Sequence, residues 1–266
     1  MSEADTILNT QSPRTRKTIT QDLMNAGLTP GITVIVHSSL SSLGWVCGGG
    51  VTVVQALMDV ITSEGTLLMP THSSDYSDPE PWKAPPVPEE WWQTIRDTMP
   101  VYDPKTTPTR NMGKIVEVFR TYENVLRSSH PSLSFAGWGK NAETIIKNHS
   151  LDYSLGEESP LARLYDLNGS VLLLGTQYDT CTTFHLAEYR QDNPKKTNYA
   201  APIMEGGKRV WKTYPDIELN EDCFIDMGED FEKAGYVKVS RVGSAITKFF
   251  HVRDAVDFGV NWLRTK

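Results

Sequence analysis

Short apolar runs separated by helical segments constrain this 266-residue chain most. Residues 32–36, rich in β-branched side chains, and 171–175, with Val171 and three leucines before Gly175, read as buried strands. Residues 66–69, stopped by Pro70, read as another. Helical spacing marks 18–26, with Thr20 as a candidate N-cap, and 51–61, 112–122, 141–148, 159–167 and 252–263. Strands that alternate with helices argue for a layered α/β fold. Two late strands, 236–241 and 245–250, meet at Val242-Gly243-Ser244 and make the sheet mixed. Between 191 and 235 turns and short strands are expected, such as 210–214. Residues 1–15 read as a loose arm.

Residues 71–111 stand apart. They are proline-rich, hold three of the seven tryptophans and show little periodicity. A long irregular stretch in a compact chain is usually a functional loop. A lid is expected here, with Trp91-Trp92 pinning it to the body.

Net charge is −7. That disfavours nucleic acid, whose binding needs basic surface, and suits a cationic substrate. The three cysteines, Cys47, Cys181 and Cys223, are too few and too scattered for a disulfide framework or a zinc site. The six histidines show no ligand spacing, so no metal is expected. Neither a secretory h-region nor an apolar run of membrane-spanning length is present. A cytoplasmic location without membrane partners is expected.

The chemistry concentrates in a few places. In Thr182-Thr183-Phe184-His185-Leu186-Ala187-Glu188, with Thr180 as candidate N-cap, His185 and Glu188 share one helical face. A carboxylate beside an imidazole can fix its tautomer and raise its basicity, as a general base requires. A surface pair has the same spacing. Strand 32–36 leads into a serine loop with hydroxyls at 38, 39, 41 and 42. Gly48-Gly49-Gly50 then opens a helix. Such a helix entrance suits an anion, typically phosphate, but no Walker or dinucleotide signature is present. Arg110, in a loop before a helix, can clamp a phosphate or simply be solvated. His130, before Pro131, is a site candidate or a structural histidine. Glu157 and Glu158, and Asp75 and Asp78, are candidates for a cation or merely local electrostatics. Cys181 near His185 allows a Cys–His nucleophile, which needs an alignment that one short turn rarely provides.

These segments, in order, resemble the aminoglycoside 3-N-acetyltransferases. The resemblance runs from about residue 16 to the end. It is carried by V-H-S-S-L-S-S-L-G-W-V-C-G-G (36–49), G-T-L-L-M-P (65–70) and T-P-T-R-N-M-G (107–113). S-S-H-P-S-L-S-F-A-G-W-G (128–139), L-G-E-E-S-P-L-A-R-L-Y (155–165) and T-T-F-H-L-A-E (182–188) complete the set. The tract P-P-V-P-E-E-W-W (85–92) is most similar to the bacillus-type branch. After the last motif the chain departs from the family pattern, reading Tyr189-Arg190-Gln191-Asp192-Asn193-Pro194-Lys195.

The resemblance implies a single-domain three-layer α/β/α sandwich with a mixed central sheet, distinct from the GNAT fold. It implies acetyl transfer from acetyl-CoA to the 3-amino group of a deoxystreptamine antibiotic, and so resistance. His185 is then the general base and Glu188 its orienter. Cofactor contacts fall on His37, Ser38, Ser39, Leu40, Ser41, Ser42, Val46, Gly48, Gly49 and Thr52, and on Arg110, Asn111, Met112 and Gly113. Substrate contacts fall on Asp75, His130, Glu157, Glu158 and Tyr178. A monomer or homodimer is expected. The competing expectations are transfer to another small amine, or CoA or antibiotic binding without turnover.

Overall fold

A computed structural model describes residues 3–266. The helices are α1 (Glu3–Leu8), α2 (Arg16–Ala26), α3 (Gly49–Ile61), α4 (Trp92–Thr98), α5 (Lys114–Phe119), α6 (Ala142–Ile146), α7 (Pro160–Asp166), α8 (Thr183–Arg190), α9 (Phe224–Lys233) and α10 (Val252–Leu263). The strands are β1 (Thr33–Ser38), β2 (Thr66–Pro70), β3 (Leu126–Arg127), β4 (Phe135–Gly139), β5 (Ser170–Leu174), β6 (Lys196–Glu205), β7 (Lys208–Ile217), β8 (Lys238–Val242) and β9 (Ala245–His251). Seven strands form one sheet in the order β3-β4-β2-β1-β5-β9-β8. The central trio β2-β1-β5 is parallel and the outer pairings are antiparallel, so the sheet is mixed.

The period of two along each central strand builds the layers. Val34 and Val36, Leu67 and Met69, and Leu172 and Leu174 face α2, α3 and α5. Ile35, Leu68, Val171 and Leu173 face the other way, toward α6 to α10. A strand covered on both faces needs apolar residues at successive positions, which is why these runs do not alternate with polar residues. The expected three-layer sandwich is what this produces.

Several local details differ from expectation. Helix α2 starts earlier, because Thr15 rather than Thr20 is the N-cap and forms a capping box with Thr18. Thr180 does not cap α8. Its hydroxyl donates to the Gln177 carbonyl, and the helix begins after Thr182. The arm is not loose: residues 3–8 are helical, the Arg14 N–H donates to the Trp45 carbonyl, and the Cys47 N–H donates to the Arg14 carbonyl. Met1 and Ser2 lie outside the described residues.

Residues 196–217 form a ten-rung hairpin, β6–β7, separate from the main sheet. Gly206 and Gly207 both have positive φ, which its two-residue turn requires. Residues 71–111 contain α4 and wall one side of the molecule. Of the expected pair, Trp91 is exposed, while Trp92 is half-buried with Arg96 over its ring. Arg127 fastens the segment instead, donating to the Thr71 carbonyl at 2.7 Å, the Ser73 hydroxyl at 2.9 Å and the Thr107 carbonyl.

Candidate active site

Strand β1 has β2 on one side and β5 on the other, all parallel, so the strand order reverses there. Open α/β sheets present a crevice at the carboxyl ends of strands at such a reversal. A cleft of about 1560 Å³ opens at this place. It takes His37 and Ser38 from the end of β1, Pro70 from the end of β2 and His72 just beyond it, and Thr176 from beyond β5. That volume exceeds the usual range of about 300–1,000 Å³ for a single small ligand.

Among the described residues, four buried polar atoms on this wall find no hydrogen-bond partner: His37 Nε2, His72 Nε2, Ser38 Oγ and Thr176 Oγ1. Buried polar groups are nearly always satisfied, so their concentration marks a place where a bound polar group completes the bonding. Burial and, to a smaller extent, the nearby His185 pull the pKa of His37 down to about 3. Burial likewise takes His72 to about 3, again with a contribution from His185. Both imidazoles are therefore neutral at pH 7.

His185 projects into the cleft from α8. Its Nδ1 donates to Glu188 Oε2 at 2.6 Å. Glu188 is buried, and its Oε1 accepts the Asn220 N–H at 2.9 Å. The His185 ring packs against Phe224, with centroids 4.8 Å apart. An imidazole that donates from Nδ1 keeps the Nε2 lone pair. Carboxylate, imidazole and cleft thus form a proton-accepting device.

Of the expected cofactor residues, His37, Ser38, Ser39, Leu40, Ser41, Val46, Gly48, Gly49, Asn111, Met112 and Gly113 line the cleft. Three do not. Ser42 donates to the Gly175 carbonyl at 3.0 Å, which ties the serine loop to the end of β5. Thr52 donates to the Cys47 carbonyl at 2.6 Å. Arg110 turns to Asp75, 3.7 Å away, and to the Ala84 carbonyl. The cation on the cleft wall is instead Lys114, the residue after the T-P-T-R-N-M-G motif. Its position beside that motif was the available signal.

The expected substrate residues fare differently. Asp75 faces Arg110. His130 is buried off the cleft wall; its Nδ1 accepts the Leu133 N–H at 2.9 Å, and its ring lies among His149 and Tyr214. Glu157 holds Arg190 at 2.7 Å on the surface, and Glu158 is exposed. Tyr178 is a core residue whose hydroxyl donates to Glu232 at 2.8 Å. None of the five lines the cleft. Among the described residues, the acids on the wall near His185 are Asp179 and Glu221, exposed residues of single 3-10 turns with no sequence pattern to mark them.

Cys181 is buried, and burial pushes its thiol up to about 12, which removes the Cys–His nucleophile. Among the described residues no cluster of three His, Cys, Asp or Glu is placed to hold a metal. No helix there is long and apolar enough to cross a membrane. A second cavity, of about 510 Å³, adjoins the cleft through the shared walls Leu133 and Leu219. It lies between the β6–β7 hairpin and residues 74–81.

Comparison with known proteins gives the same picture. The family model described as Aminoglycoside 3-N-acetyltransferase matches residues 35–264. The SPbeta prophage-derived aminoglycoside N(3')-acetyltransferase-like protein YokD of Bacillus subtilis (strain 168) is 52% identical over 255 residues, 96% of this chain and 94% of that protein. The crystal structure of YokD superposes with a TM-score of 0.96, covering 98% of this chain and 97% of that one. AAC-IIIb, solved as a binary complex with CoASH, has a TM-score of 0.85 at 30% identity, covering 96% and 97% of the two chains. AAC-VIa bound to sisomicin has a TM-score of 0.85 at 28% identity, covering 96% and 98%. This chain therefore belongs to the aminoglycoside 3-N-acetyltransferase family, a family of acyltransferases.

Proposed function

We propose that this protein transfers the acetyl group of acetyl-CoA to the 3-amino group of a deoxystreptamine aminoglycoside, with His185 as general base. The observation that carries the reading is the Glu188-held imidazole opening onto a cleft with orphaned polar atoms at the sheet's carboxyl ends. Capture of CoASH by AAC-IIIb and of sisomicin by AAC-VIa supports the choice of reactants.

An ammonium has no lone pair and must lose a proton before it attacks. His185 Nε2 takes that proton, and Glu188 stabilises the imidazolium. The freed nitrogen bonds to the thioester carbonyl carbon, and electrons move to the carbonyl oxygen. The C–S bond then breaks and the carbonyl re-forms; the proton held on His185 passes to the departing thiolate, and the attacking nitrogen releases its second proton to solvent, leaving a neutral amide and a free thiol. Transfer is direct, within a ternary complex.

The chain's residues divide this work. Gly48 to Val51, at the first turn of α3, and Lys114 present N–H groups and a cation to the cofactor's phosphates. The serine loop and the neutral His37 supply polar contacts beside the reacting carbonyl. Asp179 and Glu221 draw the cationic acceptor to the His185 side. The fit to CoA rests on the cleft's size and on these donors.

The test is a free-thiol assay with acetyl-CoA over a panel of aminoglycosides, with the acetylation site assigned by NMR. Stoichiometric acetylation at the 3-amino group is expected. Turnover with no aminoglycoside in the panel overturns the reading.

A further inference from the structure

The smaller cavity beside the cleft carries an inference about what kind of amine this protein prefers. It rests on the acetyltransfer reading above, with part of the acceptor reaching past Leu133 and Leu219 into this adjoining cavity. The cavity wall is rich in neutral polar groups: Ser74, Ser77, Thr197, Asn198, Tyr199 and Tyr214 line it. Its two acids are Asp78 and Glu80. Asp78 is held by a guanidinium, whereas Glu80 is exposed.

Arg96, on α4, stands behind both acids. It grips Asp78 in a fork, Nε to Oδ2 at 2.8 Å and Nη2 to Oδ1 at 2.7 Å, and reaches Glu80 Oε2 at 3.4 Å. Such a bidentate pair is the strong form of a carboxylate–guanidinium contact. Burial alone raises the pKa of Asp78, but the Arg96 bonds offset this and leave it below the ordinary carboxylate value. The helix itself is fixed in place. Arg209, from the β6–β7 hairpin, donates to the Met99 carbonyl at 2.7 Å and to the Arg96 carbonyl. Hairpin, helix and acids form one wall.

We propose that Arg96 is a specificity-determining residue: it occupies both carboxylate oxygens of Asp78 on the wall of the acceptor cavity, so the cavity favours acceptors that present hydroxyls there over those that present extra ammonium groups. Discrimination among aminoglycosides then follows the number of amines on the part of the molecule that meets this wall. The neutral donors and acceptors pair with hydroxyls, while an added ammonium must compete with Arg96 for Asp78.

The test uses the full chain and two acceptors that differ by one amine for hydroxyl, neomycin and paromomycin. Kinetics with a free-thiol readout and calorimetric binding in the absence of acetyl-CoA are measured for wild type, Arg96→Gln, Arg96→Lys and Asp78→Asn. Arg96→Gln releases the charge of Asp78 and is expected to lower the KM and Kd for neomycin about fivefold, with a smaller change for paromomycin. Arg96→Lys keeps the positive charge and leaves the preference near that of wild type. Asp78→Asn leaves Arg96 unpaired and raises KM and Kd for both acceptors. A merely structural pair predicts that both removals act in the same direction and lower the melting temperature, with no change in preference between the acceptors. Unchanged or weaker neomycin binding in a folded Arg96→Gln variant, with its KM for acetyl-CoA intact, overturns the proposal. Absence of turnover with either acceptor in every variant counts instead against the acetyltransfer reading, and the calorimetric arm still decides the role of Arg96.

Discussion

Glu188 Oε2 sits 2.6 Å from His185 Nδ1 and is oriented by the backbone N–H of Asn220, which donates to its other oxygen. The carboxylate is almost wholly buried, and the imidazole keeps one face toward the cleft. A buried carboxylate with both oxygens occupied cannot swing away. The tautomer of His185 is therefore fixed before any acceptor arrives, with its lone pair on the cleft side. That relationship distinguishes the pair from an ordinary i,i+3 pair on a helix surface and supports the proposed role of His185.

Removal of the base is the first expectation. His185→Ala deletes the proton acceptor and is expected to lower kcat by about 10²–10⁴-fold, the usual range for general-base catalysis. Glu188→Gln keeps the shape but turns a charged acceptor into a neutral one, and is expected to fall between that variant and wild type. In both, the KM for acetyl-CoA stays close to that of wild type. Single-turnover thiol release across pH 6 to 9 checks this, and near-normal turnover in His185→Ala would falsify the role.

How far the sequence carries can be judged from particular elements. The runs at 32–36, 66–69 and 171–175 became β1, β2 and β5 because doubly covered strands are apolar at successive positions. The helix at 252–263 matches α10 residue for residue. The β6–β7 hairpin was largely missed. Pro202 and Pro215 interrupt it, and proline ordinarily argues against a strand; a two-stranded ribbon tolerates it because each strand has a free edge. Helix α9 was missed although Phe224, Met227, Gly228 and Phe231 lie on one face. Its central glycine weakens the helical signal, yet the ring of Tyr178 occupies the space that a Cβ at Gly228 would take, 2.0 Å away. In the site, motif residues beside strand ends were legible. The acids were not, since Asp179 and Glu221 come from single 3-10 turns whose placement depends on the whole sheet.

The cofactor end of the cleft supplies a second expectation. Gly48 has φ +82°, and a Cβ there would lie 2.6 Å from Thr52 Oγ1. Gly48→Ala is therefore expected to distort the helix entrance, raise the KM for acetyl-CoA and cost about 1 kcal/mol of stability or more. Lys114→Ala removes a charge-assisted contact, expected to raise the same KM about tenfold. Neither variant should move the acceptor KM. Initial-rate kinetics varying one substrate at a time separate the effects. An altered acceptor KM with an unaltered acetyl-CoA KM contradicts this division of the cleft.

Thiol chemistry gives a third. Burial pushes the Cys181 thiol up to about 12, so almost none of it is thiolate at pH 7.5. Incubation with iodoacetamide is expected to leave acetyl transfer intact, and peptide mass spectrometry should find Cys181 unmodified in the folded protein. Exposed Cys47 serves as the internal control for alkylation. Inactivation in step with labelling of Cys181 would place a nucleophile where this geometry has none.

Acid should loosen the fold before it titrates any carboxylate. Burial draws His37 and His72 down to about 3 and His149 to about 4, and holds His130 well below its ordinary value of 6.5. In the unfolded chain all four titrate near 6.5. Above that pH neither state binds these protons, so they leave stability unchanged. Below it the unfolded chain takes up protons that the folded one refuses, and stability falls with falling pH until the folded values are reached. The slope is at most about 1.4 kcal/mol per pH unit for each histidine, acting from pH 6.5 toward pH 4. Urea midpoints are therefore expected to drop steeply between pH 7 and pH 5.5, well above the carboxylate range. A midpoint that holds constant or rises over that interval would mean that these imidazoles are already protonated in the native state.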